Sequence, residues 1–242
     1  MNPFARTERL LGPAAMVRLK GARVAVFGLG GVGGHAAEAL ARSGVGALEL
    51  FDGDTVAVTN LNRQLVATRD TLGQYKADAL AARLKSIVPE AEIVPRRMFY
   101  LPENADGVDL SRFDYIVDAV DTVAAKLELA VRAQVLRVPI ISAMGAGNKL
   151  DPTKLVIGDI YATSVCPLAR VMRRELRRRG VERLKVAWST EPPAQPLGEL
   201  PPEERPKEGA PRRDVPGSTA FVPPAMGMAI AAAVVRDLAG IE

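Results

Sequence analysis

The chain has 242 residues, 48% of them apolar, with a net charge of +4 and a single cysteine. That size suits one large domain or one and a half, and that balance a compact α/β core. One cysteine excludes an internal disulfide framework and a CxxC…CxxC site, so no structural zinc is expected, and the modest positive charge allows a polyanionic partner without requiring one.

Residues 1–21 read as an N-terminal helical segment. The charged start MNPFARTERLLG lacks the apolar stretch of a signal peptide. Amphipathic spacing predicts a helix over 10–20, ended by Gly21. Residues 22–27 (ARVAVF) form a short β-branched run that ends in glycine, as buried parallel strands do. A helix with small residues follows over 35–43, then a second strand over 47–51 (ALELF). The stretch 73–88 is a strong helix stopped by Pro89. Strands over 92–96, 113–117 and 139–143 and a helix over 124–136 complete a nucleotide-binding core, 22–150. Strand and helix alternate throughout, which predicts a doubly wound, mostly parallel Rossmann-like sheet with helices on both faces.

Residues 151–242 read as a C-terminal extension for substrate. It holds a strand over 155–160, a helix over 165–179 with a basic face, a strand over 183–188 and a final helix over 226–238. Between them, 191–216 is proline-rich and charged, a composition that buries too little surface to order itself, so a mobile loop is expected. The apolar run 220–235 contains Pro223, Pro224 and Gly227 and falls short of the ~20 residues a spanning helix needs. It reads as a core helix. No membrane association is expected, and one cysteine fits a reducing, cytosolic setting.

The chemistry is concentrated after the first two strands. Gly28-x-Gly30-Gly31-x-Gly33 joins a strand to a helix. Such a turn lets phosphates approach backbone amides at a helix N-terminus, where negative charge is favoured. Asp52 ends the second strand, where an acid hydrogen-bonds ribose hydroxyls. To this point NAD and ATP fit equally. The next residues, Asn60, Asn62, Arg63 and Gln64, form a polar knot that hydride transfer does not need. Arg63 can neutralise a polyphosphate through its planar fork, and Lys76, opening a helix, can act as a point charge on leaving pyrophosphate oxygens. Asp118 and Asp121 follow the fourth strand at the edge where ligands bind. Asp121 is the candidate for Mg2+ carried by the phosphates, and Asp118 for fixing the loop. Together these residues point to an enzyme that uses ATP to adenylate a carboxylate.

The segments GLGGVGG, FDGDTVAVTNLNRQ, GQYK and IVDAVDT resemble the ubiquitin-activating-type superfamily that includes the MoeB, ThiF and HesA proteins. The resemblance spans about residues 6–160. It implies ribose contacts from Asp52 and Asp54, a triphosphate held by Arg63 and Lys76, and Mg2+ on Asp121. It also implies that Arg6 reaches the γ-phosphate of a neighbouring subunit, hence a homodimer. Arg6, Arg63, Lys76 and Asp121 would then be catalytic. Gly28, Gly30, Gly31, Gly33, Asn60 and Asn62 would complete the ATP site.

Sulfur-carrier activators of this superfamily usually carry two CxxC pairs, and this chain has none. Its Cys166 reads as a small buried hydrophobe. The stretches RTERLLG, EALARSGVG, DPTKL, PLARVMRRELRRRG, WSTE and PGSTAFVPPAMGMAIAAAVV instead resemble the tRNA threonylcarbamoyladenosine dehydratases over nearly the whole chain. That resemblance implies adenylation of a threonine carboxylate on tRNA, then ring closure that expels AMP. Arg170, Arg173, Arg174, Arg177 and Arg178 recur at helical spacing and would share one tRNA-binding face, extended by Arg179, Arg183 and Lys185. His35 reads as a packing or helix-side contact. Trp188 either stacks a base or fills core. The rival readings are adenylation of a carrier protein's C-terminal Gly-Gly, a nucleotide sensor without turnover, and an NAD oxidoreductase.

Overall fold

The computed structural model describes residues 2–199 and 215–241. Helices α1 (Ala5–Leu11) and α2 (Pro13–Gly21) precede β1 (Arg23–Phe27), α3 (Gly33–Arg42), β2 (Ala47–Phe51), α4 (Lys76–Ile87) and β3 (Glu92–Arg96). Next come β4 (Tyr115–Asp118), α5 (Val123–Leu136) and β5 (Ile140–Ala143). The C-terminal part adds β6 (Leu155–Asp159), α6 (Pro167–Arg178), β7 (Lys185–Ser189) and α7 (Val222–Ala239). The strands form one seven-stranded sheet in the order β3-β2-β1-β4-β5-β7-β6. Neighbours pair in parallel except β6, which runs antiparallel to β7. This is the doubly wound sheet the alternation predicts. Its chain reverses direction across the sheet between β1 and β4, where such folds open a ligand crevice.

Alternation within each strand divides the core. Val24, Val26, Leu48, Leu50, Tyr115 and Val117 face α3, α4 and α7. Ala25, Phe27, Phe51 and Ile116 face the opposite way, onto α5. A third cluster joins α5 and α6 to β7 and contains both Cys166 and Trp188. Trp188 lies over Gly158, leaving that glycine room for no side chain without movement. The tryptophan is therefore core, and Cys166 is the buried small residue expected.

Several boundaries differ from expectation: α4 opens at Lys76 rather than 73, β4 at Tyr115 rather than 113 and β7 at Lys185 rather than 183. The helix expected over 10–20 is two helices, because Gly12 adopts φ 84°, ψ 159° and Pro13 opens a new first turn. α7 starts at Val222, not 226: Pro223 and Pro224 sit in its first turn, where a missing N–H costs no helical bond. The loop expected over 191–216 is only partly within view, since 200–214 lies outside the described residues; the flanks 191–199 and 215–216 carry neither helix nor strand.

α7 is apolar and long enough to cross a membrane by composition, and half of it is buried inside the protein. It packs tightly against α3 at Gly227. A Cβ there would strike the Val32 carbonyl and come within 3.0 Å of His35 Cβ and 3.1 Å of the Ala36 amide. Gly227→Leu should therefore separate the helices and cost about 1–3 kcal/mol or more, as overpacked cores do. Calorimetry checks this; an unchanged melting temperature would show that α7 does not seal the core.

Candidate functional site

Every residue singled out around the nucleotide turn, apart from Arg6, lies near the carboxyl edge of the sheet. The turn 28–32 leaves β1 and delivers the chain to α3, so Gly28, Gly30, Gly31 and Val32 border the crevice at the N-terminal end of that helix. A cavity of about 610 Å3 opens there. Gly28, Gly30, Gly31, Asp52, Asp54, Asn60, Arg63, Gln64, Lys76 and Asp121 all line it. Gly33 and Asn62 stand behind the wall: Gly33 begins α3, while Asn62 donates to the Ser218 carbonyl at 3.0 Å and accepts from Arg63 Nη1 at 2.8 Å. A larger cleft of about 1010 Å3 opens at the opposite edge, beside Arg137, Arg183 and Asp237. It gathers none of the motif residues, and ligands in such sheets bind at the carboxyl ends of strands. The smaller cavity is the site.

Its charges are arranged in layers. Asp52 is 8% exposed and accepts from the Leu29 amide at 2.7 Å and the Asp54 amide at 2.8 Å. Burial raises its carboxyl pKa above the ordinary range, opposed by the nearby Lys76 and by those two amides. Lys76 opens α4 and is 6% exposed, with its ammonium 2.9 Å from Asp54 Oδ2. Arg63 is steadied by the Thr59 carbonyl at 3.0 Å as well as by Asn62. Asn60 closes a short 3-10 turn, Val58–Asn60, by accepting from the Ala57 amide at 3.1 Å. Asp121 sits at the start of the β4–α5 connection and accepts from the Thr122 hydroxyl at 3.2 Å. His35 Nδ1 lies 2.9 Å from the Gly31 carbonyl, and burial lowers the imidazole pKa, consistent with a helix-side contact.

The wall also contains residues that motif reading missed. Met98, Phe99, Tyr100 and Leu101, from the segment after β3, line the cavity. The Phe99 ring occupies the space a Gly53 side chain would need. The Tyr100 hydroxyl is buried and, among the described residues, has no hydrogen-bond partner; burial pushes it up to about 12. Gln64 Oε1 is likewise buried without a partner. Buried polar atoms are almost always paired, so these two are exceptions; the charges nearest the Tyr100 hydroxyl are Arg132, Glu128 and Asp106, outside the cavity. Val215, Pro216, Ser218 and Pro223 form the far wall.

Arg6 lies on α1, which buries no residue, and does not reach the cavity of its own chain. The α6 arginines lie on the sheet face shared with α5. They do not project alike. Arg173 donates to the Thr163 carbonyl at 2.9 Å, and Arg177 lies 4.9 Å over the Tyr161 ring. Arg174, Arg178 and Arg179 converge on Glu175 at 3.0, 3.2 and 2.9 Å. Arg170 makes no side-chain ion pair among the described residues.

No group of three or more His, Cys, Asp or Glu side chains able to hold a metal occurs among the described residues. A single cavity carboxylate such as Asp121 still fits Mg2+, which keeps its waters and is carried by nucleotide phosphates with one or two carboxylates.

The ThiF family matches this chain over residues 4–242. The tRNA threonylcarbamoyladenosine dehydratase of Bacillus subtilis is 41% identical over 98% of this chain and 95% of its own length. The crystal structure of E. coli tRNA N6-threonylcarbamoyladenosine dehydratase in complex with AMP superimposes with a TM-score of 0.87. It is 31% identical, with 98% of this chain and 94% of that chain covered. The same E. coli protein in complex with ATP gives 0.84, at 31% identity, over 98% and 93%. The chain belongs to the ThiF family, on the branch of the tRNA threonylcarbamoyladenosine dehydratases.

Proposed function

We propose that this enzyme uses ATP to dehydrate threonylcarbamoyladenosine in tRNA. The observation that carries the reading is the carboxyl-edge cavity, where Arg63, Lys76 and Asp121 surround the glycine turn in a chain so similar to known dehydratases along its whole length. A threonine carboxylate oxygen attacks the α-phosphorus of ATP and pyrophosphate leaves, giving an acyl-adenylate. The carbamoyl group then closes on the activated carbonyl, and AMP departs. The net change is loss of one water and formation of a ring. Ring closure is intramolecular, so positioning and charge stabilisation suffice without a protein nucleophile.

In this reading the glycine turn and the α3 amides receive phosphate oxygens. Asp52 and Asp54 take the ribose hydroxyls. Arg63 and Lys76 neutralise charge that grows on the leaving pyrophosphate, with Asn60 and Asn62 shaping the polar wall. Asp121 would hold Mg2+, which would screen the phosphate charge. Tyr100 and Gln64 contribute to the cavity wall around the nucleotide. Arg6, which does not line its own chain's cavity, acts across a homodimer interface. The setting is cytosolic.

The basic face of α6 receives the tRNA backbone. α6 rises about 1.5 Å per residue, so Arg170 and Arg178 lie ~12 Å apart along its axis. Arg170 and Arg174 are exposed on it. Arg170→Glu with Arg174→Glu should weaken tRNA binding and leave ATP binding intact. The slope of log affinity against log salt should fall by about 0.7–0.9 for each phosphate that the variant no longer neutralises. An unchanged slope in a filter-binding titration would remove this face from the interface.

The deciding assay measures AMP and pyrophosphate released from ATP-Mg2+ with tRNA that carries threonylcarbamoyladenosine, against unmodified tRNA. Release with the modified tRNA alone, and a nucleoside lighter by one water, is the expected result. Release with neither tRNA, but with a carrier protein ending in Gly-Gly, would replace this reading by carrier activation.

A further inference from the structure

Beneath the cavity wall lies a fully buried ionic group that lines no part of the cavity. Lys126 in α5, Asp118 at the end of β4 and Ser142 in β5 have no exposed surface. The Lys126 ammonium is 3.0 Å from each Asp118 oxygen and 3.1 Å from the Ser142 hydroxyl. Its three donors thus meet three acceptors, a match that a compact ammonium makes and a planar guanidinium does not. The Ser142 hydroxyl in turn donates to Asp118 Oδ2, and the two residues are level in the β4–β5 pairing.

Buried ion pairs contribute little net stability, because desolvating both charges offsets most of their attraction. Their geometric effect is larger here. Asp118 Oδ1 also accepts from the Val120 amide at 3.2 Å, while the Ala119 amide donates to the Phe27 carbonyl at 2.8 Å. Residues 119–121 are thereby tied from below by Asp118 and abut Gly28 from the side. All three line the cavity.

We propose that Lys126 and Ser142 are positioning residues: by locking Asp118, they fix residues 119–121 and set where the Asp121 carboxylate meets the metal–nucleotide complex. This rests on the reading of Asp121 as a ligand of Mg2+ on ATP. The test is a Mg2+ titration of AMP formation by the full chain, with saturating ATP and modified tRNA, beside a thermal melt. Lys126→Met should raise the half-saturating Mg2+ concentration several-fold, less than the roughly 10- to 100-fold that follows loss of a direct outer partner of a metal ligand, because it acts through Asp118. Ser142→Ala should raise it less. Lys126→Met leaves a buried carboxylate unpaired; if it fails to fold, Ser142→Ala decides alone. A purely structural role would lower the melting temperature and maximal rate with the half-saturating Mg2+ unchanged, and would overturn the proposal. Asp121→Asn is the reference. If it too leaves the Mg2+ dependence unchanged, the metal reading of Asp121 falls, and this inference falls with it.

Discussion

Lys76→Ala should slow AMP formation by on the order of 10²–10³, the loss that follows removal of one preorganised charge from a developing anion. The fold should survive. Lys76 opens α4, and its helical role rests on its backbone amide, which donates to the Asp54 carbonyl at 3.0 Å and is kept by alanine. Among the described residues its ammonium bonds Asp54 alone, whose side chain is 55% exposed and returns to water when the lysine is removed. The space vacated opens onto the cavity, so no dry void forms. The effect is thus confined to chemistry: charge appears on pyrophosphate oxygens as the bond to the α-phosphorus breaks, and this ammonium already lies in the cavity without reorganising. Lys76→Arg should not rescue the rate, because a wide fork does not fit a buried slot shaped for a point charge. Single-turnover AMP release with a parallel melt checks both halves. A rate near that of the parent chain would remove Lys76 from the reaction.

What the sequence reveals and conceals follows from where each signal is stored. β1, β2 and β5 are short apolar runs closed by Gly, Asp or another breaker, so local pattern marks them closely. Asp52, Asn60, Arg63, Lys76 and Asp121 were legible because each follows a strand or opens a helix, and the carboxyl edge of a parallel sheet gathers such positions automatically. Tyr100 and Phe99 were not. They reach the cavity only because β3 lies beside β2, and strand order is not written in local periodicity. The one trace was Gly53, directly after Asp52, where the Phe99 ring leaves no room for a side chain. The arginines of α6 show a different limit. Their spacing identifies a shared face, but the same spacing brings Arg174, Arg178 and Arg179 to Glu175, so several are partly neutralised before any RNA arrives. The Lys126–Asp118 pair was concealed more fully, since a lysine in an apolar helix gives no sign that it points inward.

Gly28→Ala should lose both ATP binding and stability, whereas Gly30→Ala should lose ATP binding alone. The sequence motif treats the two glycines alike; the structure separates them. Gly28 has φ +83°, a conformation that costs an L-residue about 1–2 kcal/mol. Its missing Cβ would also lie 2.6 Å from the Ala119 carbonyl oxygen and 2.9 Å from the Val120 amide. Both are backbone atoms of the segment that Asp118 ties down, so neither can step aside cheaply. Overpacking of this kind adds about 1–3 kcal/mol, enough to lower the melting temperature of a domain this size by several degrees. At Gly30 the nearest atom to an added methyl would be Gln64 Nε2 at 3.8 Å, ordinary contact distance. The protein itself therefore has no need of glycine at that position. The remaining reason for one is a phosphate brought against the backbone, with the adjacent α3 amides as donors. Calorimetry and ATP titration of the two variants separate these causes. Full ATP affinity in Gly30→Ala would mean that the phosphates lie elsewhere in the cavity, and an unchanged melting temperature in Gly28→Ala would mean that the 119–121 segment yields where the hydrogen bonds say it is held.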